Sequence, residues 1–254
     1  MAKIIALANQ KGGVGKTTTA INLSEALVQK GKRVLLVDID PQANSTSGVG
    51  VSLAKDAPSI YEVLSGTVPA ERAILKAAAG IDVLPTRIDL AAAEVELVSE
   101  EGREQRLKRC LQHVRDNYDF ILIDCQPSLG LLTVNALTAA DSVLIPLQCE
   151  YYAMEGLGQL LKTIRRIREN LNPSLGLEGI LLTMYDARNN LSDEVKEQVE
   201  ANFQKEAFKT VIPRNVRLSE APSYGTPINM YDKSSVGAAK YNELADELLA
   251  RNGL

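Results

Sequence analysis

The sequence predicts an α/β fold, a doubly wound and mostly parallel sheet flanked by helices. Three observations predict it. Short aliphatic runs (KIIALA, RVLLVD, FILID, SVLIPL) alternate with amphipathic stretches of helical length. The runs are apolar on both faces, as strands covered on both sides must be. Over 254 residues, 45% hydrophobic and 24% charged residues supply one large core, and no repeat, low-complexity tract or Pro/Gly-rich linker divides it. A single domain spanning residues 1–254 is therefore expected.

In chain order, KIIALA reads as the first strand, residues 17–30 as a helix and RVLLVD as the second strand. A strand at 81–84 and helices at 89–98 and 105–117 follow, then the FILID strand, a helix at 131–139 and the SVLIPL strand. The remainder reads as a helix at 156–170, a strand at 177–184, a helix at 192–203, a strand at 210–212 and a closing helix at 234–251.

Composition excludes several function classes. Aromatics are 4% with no Trp, which leaves an aliphatic core and disfavours a base-stacking reader of single strands. Cys110, Cys125 and Cys149 are odd in number without CxxC spacing, so neither a disulfide framework nor a zinc site is indicated, and a reduced cytoplasmic setting is expected. The five-residue apolar run near the start is too short for a signal peptide, and no later run reaches membrane-spanning length. With a net charge of −4, nucleic-acid binding would need a local patch. Residues 89–104 carry six acidic and one basic side chain, whereas 205–240 carry six basic and three acidic.

The sharpest signal is QKGGVGKTT at residues 10–18, between the first strand and the first helix. Gly12, Gly13, Val14 and Gly15 form a turn whose backbone N–H groups can cradle phosphate oxygens, helped by the positive end of the helix. Lys16 is expected to bridge the β- and γ-phosphates, Thr17 to offer its hydroxyl to Mg²⁺, and Thr18 to contact the α-phosphate side. FILID reads as the strand that presents Asp124 to Mg²⁺ through a water. VDID places Asp38 and Asp40 at the carboxyl end of a parallel strand, where open α/β sheets bind ligands.

The loop has Gln10 in place of the usual first glycine and a second lysine, Lys11. KGGxGKT[TS] resembles the deviant Walker A motif of the ParA/MinD family of P-loop ATPases. The resemblance implies an ATP-dependent homodimer with nucleotides sandwiched between subunits, Lys11 reaching the partner's phosphates. It also implies that Asp40 orients or deprotonates the attacking water while Asp38 supports the metal and a switch region. DCQPSLG departs from the family's usual DCPPSLG at Gln126, which lifts a backbone restraint in the second switch.

The similarity extends along nearly the whole chain through QCEYYAMEGLGQLL, LLTMYDARNN and TVIPRNVRLSEAP, the pattern of Soj-type chromosomal ParA proteins. It implies that Pro213 and Asn215 lie against adenine, and the lack of an NKxD motif favours ATP over GTP. It further implies nonspecific double-stranded DNA binding on the nucleoid and hydrolysis stimulated by a ParB-type protein. Arg188, Arg214, Arg217, Lys233 and Lys240 are the candidate DNA contacts, Arg188 and Arg217 being matched to the family's DNA-facing arginines. The phosphate loop begins at residue 10, so an operator-reading helix-turn-helix extension is not expected. The acidic ending YNELADELLARNGL argues against a membrane-targeting helix and hence against a membrane partner. A MinD-like membrane ATPase is the alternative, and a metabolic or metallocluster enzyme on the same scaffold is a more remote one.

Overall fold

The computed structural model describes residues 1–77 and 79–254. Its strands are β1 (Lys3–Leu7), β2 (Val34–Ile39), β3 (Leu75–Lys76), β4 (Asp82–Leu84), β5 (Phe120–Cys125), β6 (Ser142–Gln148) and β7 (Gly176–Thr183). The helices are α1 (Lys16–Gln29), α2 (Asn44–Gly48), α3 (Ile60–Ser65), α4 (Ala70–Ala73), α5 (Leu90–Glu96), α6 (Arg106–Gln112), α7 (Leu131–Ala139), α8 (Ala153–Asn170), α9 (Asn190–Asn202), α10 (Val216–Glu220), α11 (Ile228–Tyr231) and α12 (Val236–Arg251).

One sheet runs in the order β3-β4-β2-β5-β1-β6-β7. Every pairing is parallel except β3 with β4. The period-2 geometry of a strand explains the unbroken apolar runs. Ile4, Ala6, Ile121 and Ile123 join the core under α5 to α9, while Ile5, Leu7, Phe120 and Leu122 join the core under α1 and α12. Both faces are dry, so neither can tolerate polar alternation.

Three expectations change. The strand at 210–212 does not form, although the backbone runs beside β7: Phe208 N–H donates to Ile180 O (2.9 Å) and Ile212 N–H to Leu182 O (2.9 Å). Between those bonds, Lys209 and Thr210 turn their N–H groups to the Glu247 carboxylate on α12, at 2.8 Å each, which interrupts the ladder. The helix expected at 105–117 breaks after Gln112 into a short 3-10 turn at 115–117. Its residue Arg115 instead donates to Ala2 O and Asp141. The helix expected from 156 starts at Ala153, and the short helices α2, α3, α4, α10 and α11 lack the length that makes a periodic signal.

Candidate functional site

The chain leaves β1 and enters the glycine turn through Asn9, which is buried. Its Nδ2 donates to Pro146 O on β6 (2.8 Å) and its Oδ1 accepts from Lys11 N–H (3.0 Å), fixing the loop entrance to the sheet. Gly13 and Gly15 have φ of +75° and +86°, where a side chain would be strained. Gly15 is the N-cap of α1, and no side chain caps that helix, whereas Ser59, Asn189, Asn215 and Ser235 cap α3, α9, α10 and α12. The uncapped N–H groups and the positive helix end face a cleft of about 590 Å³ lined by Gly12, Gly13, Gly15, Lys16, Thr17, Thr18 and Asp40. That is an anion site made of backbone.

Lys16 is 6% exposed, and burial lowers its pKa against the opposing pull of Asp124, Cys125 and Asp40. Its Nζ donates to Lys11 O at 3.0 Å, a carbonyl that phosphate oxygens can replace. Lys11 is half exposed and ion-paired with Glu150, a partner that the motif gave no hint of. Thr183, at the end of β7, donates from Oγ1 to Val14 O (2.9 Å) and so braces the loop from the other side.

Strand register sets Asp38 directly beside Asp124. Burial, together with the Asp124 charge, pushes Asp38 up to about 7, and burial pushes Asp124 up to about 6 against the Ser45 hydrogen bond, the nearby Thr17 hydroxyl and the Lys16 charge. Asp124 Oδ2 accepts from Ser45 Oγ (2.6 Å), while its Oδ1 is buried with no partner. An orphaned carboxylate oxygen near the Thr17 hydroxyl is the donor set that a phosphate-bound magnesium ion needs, so these residues fit the metal. Asp38, beside Asp124, is bonded to the segment that follows Asp40. Its Oδ2 accepts from Thr46 N–H (2.8 Å) and Oγ1 (2.7 Å), its Oδ1 from Asp40 N–H (3.2 Å), and it is fully buried. These bonds anchor the segment after Asp40. Asp40 does line the cleft, with Oδ1 accepting from Gln42 N–H (2.9 Å).

A second pocket of about 320 Å³ shares Gly15, Thr18, Met184 and Pro222 with the first and contains both Pro213 and Asn215. Met184 joins the two with φ +50°. Asn215 Oδ1 accepts from Arg217 N–H (2.8 Å), which leaves the amide NH₂ available as a donor. Pro213 and Arg214 also form a wall of a third space, a groove of about 790 Å³ lined by Arg188, Lys209, Arg214 and Lys240. Sequence reasoning missed Lys209, because its charge is unremarkable until the 207–214 segment is laid beside β7. Arg217 and Lys233 do not line this groove: Arg217 sits on α10, paired with Glu220 (2.9 Å) and Asp232 (3.5 Å), and Lys233 is exposed before α12. Arg188 is held by Asp186 through two bonds of 2.9 and 2.8 Å, and Lys240 by Glu243.

Comparison with known proteins shows what the whole chain is similar to. A family model described as an AAA domain matches residues 2–177. The chain is 58% identical over 252 residues to the sporulation initiation inhibitor protein Soj of Bacillus subtilis, covering 98% of this chain and 99% of that one. It is 50% identical over 252 residues to the chromosome partitioning protein ParA of Caulobacter vibrioides, covering 98% and 94%. A crystal structure named as cobyrinic acid a,c-diamide synthase from Mycobacterium smegmatis, with bound ADP and magnesium, superposes with a TM-score of 0.88 at 42% identity over 100% of this chain and 96% of that one.

Proposed function

The chain belongs to the ParA/MinD family of P-loop ATPases, alongside Soj and ParA chromosome partitioning proteins, and from that premise we propose that it is a DNA-partitioning ATPase whose nucleotide state controls its grip on DNA. In this reading residues 1–254 form one Mg·ATP-dependent domain, active in the cytoplasm on the nucleoid. Two copies close on two ATP molecules, bind double-stranded DNA without sequence preference, and are released when a ParB-type protein stimulates hydrolysis.

The observation that carries it is the shared wall. Pro213 and Arg214 border both the pocket that continues the phosphate cleft and the groove that gathers Arg188, Lys209 and Lys240. A shift of that wall on base binding moves the basic side chains directly. The groove suits phosphate contacts, which bring affinity without sequence reading.

Hydrolysis follows from the residues that line the cleft. The α1 N–H groups and Lys16 hold the phosphates, with Lys16 exchanging the Lys11 carbonyl for phosphate oxygens. Thr17 and the free Asp124 oxygen would hold the metal, whose charge when bound would offset the charge on the phosphates. Asp40 orients the attacking water, and Lys11, once released by Glu150, supplies a cation to the facing subunit. Retention of a DNA duplex on a filter in ATP, in ADP and without nucleotide tests the reading. Strong retention in ATP alone is expected, and equal retention in all three would reject nucleotide control.

A further inference from the structure

The loop between β5 and α7, residues 126–130, follows Asp124 by one residue and contributes Pro127 to the phosphate cleft. It is tied to a helix that the phosphate chemistry does not otherwise involve. Glu94, on α5, accepts at Oε1 from Gln126 Nε2 (3.0 Å) and from the Leu132 N–H in the first turn of α7 (3.3 Å). Any Cβ at residue 130 would run into the Glu94 carboxylate, so Gly130 is what admits it. Inside the loop, Thr133 Oγ1 donates to Ser128 O (2.6 Å), so loop and helix start move together.

Direction follows from the two cores. Leu90 and Ala93 place α5 on the opposite side of the sheet from Ala20, Leu23 and Ala26 of α1. The loop leads from β5 into α7, whose Leu132 and Ala136 share the α5 core, so the tether holds the loop on the face away from the helix end at the cleft.

We propose that Glu94 is a positioning residue that, through Gln126, restrains the 126–130 loop and slows ATP hydrolysis. This rests on the ATPase reading above. α5 is also a surface element, with Val95 76% exposed and Ile88 just before it 70% exposed, so the restraint lies where solvent and macromolecules have access to it.

The test is a double-mutant cycle on the full chain with Mg·ATP and DNA, reading kcat and KM separately. Glu94→Ala and Gln126→Ala should each raise kcat roughly threefold to tenfold, the scale of one partly exposed hydrogen bond to a carboxylate, with KM unchanged. The double variant should match either single one, and Glu94→Gln, which keeps the acceptor oxygen, should stay near the wild-type rate. Unchanged kcat in Gln126→Ala, multiplied effects in the double variant, or KM moving with kcat would overturn the inference. If Glu94→Ala does not fold, Gln126→Ala alone decides, since Glu94 still caps α7 there. A wild-type protein without ATP hydrolysis would instead sink the functional reading on which this depends.

Discussion

Single side chains already separate binding from turnover. Lys16→Ala removes an ammonium buried beside the cleft, so ATP binding measured by calorimetry should be lost. Asp40→Ala leaves the cradle intact, so binding should persist while hydrolysis stops. Gly12 discriminates further: nothing lies within 4 Å of where its Cβ would be, and its φ is not left-handed. Gly12→Val should therefore melt like the wild type and bind ATP, but remain a single subunit in light scattering if two copies meet across this loop. A normal dimer would remove the sandwich from the account. The buried pair Asp38 and Asp124 adds a pH signature. Both carboxyls sit above their unfolded values, at about 7 and about 6, and so hold protons more tightly when folded. Their stabilising contribution is complete in acid and is lost as pH rises through those values. Urea midpoints of the nucleotide-free protein in chelator should fall as pH rises from about 4, the unfolded carboxyl value, to about 7, and Asp38→Asn should flatten that fall. A rise across the window would contradict the burial argument.

At the scale of elements, the outcome depends on where backbone donors go. The 207–214 segment has the composition of a strand and the position of one, yet two of its N–H groups prefer a carboxylate from α12. Along this segment Lys209 and Arg214 line the groove and Pro213 lines the pocket that continues the cleft. Glu247→Gln keeps the shape and weakens the charged acceptor, at a cost of about 1–3 kcal/mol in urea unfolding. DNA retention should drop with it, because the same segment lines the groove. Retained DNA binding at reduced stability would mean that the groove does not depend on this cap. The helix α1 is the converse case, since its missing cap leaves donors for a ligand.

Across the whole molecule, net charge and local charge point in opposite directions. At −4 overall, one subunit has little general attraction for DNA, and Arg188, Arg217 and Lys240 are each paired with a carboxylate. Doubling the groove in a dimer is what would make the contact effective. If about six phosphates are neutralised, the logarithm of the affinity should fall with the logarithm of salt concentration at a slope near −5. A slope near zero in a fluorescence anisotropy titration would exclude phosphate contacts as the source of binding.

The sequence by itself determined the alternating αβ order, both dry faces of the sheet and the phosphate turn. Those depend on short-range matters: period-2 apolar runs, glycines at left-handed positions, and Lys16, Thr17 and Asp124 in fixed local frames. Tertiary structure decided what depends on distant segments meeting. Asp38 became an anchor for Thr46 once burial closed over it, Lys11 acquired Glu150, and Thr183 came to brace Val14. Lys209 joined the basic groove, and Glu94 reached the loop after Asp124 across 32 residues of chain. Local patterns carry backbone preference and face; they carry no record of which carboxylate a folded neighbour will bring.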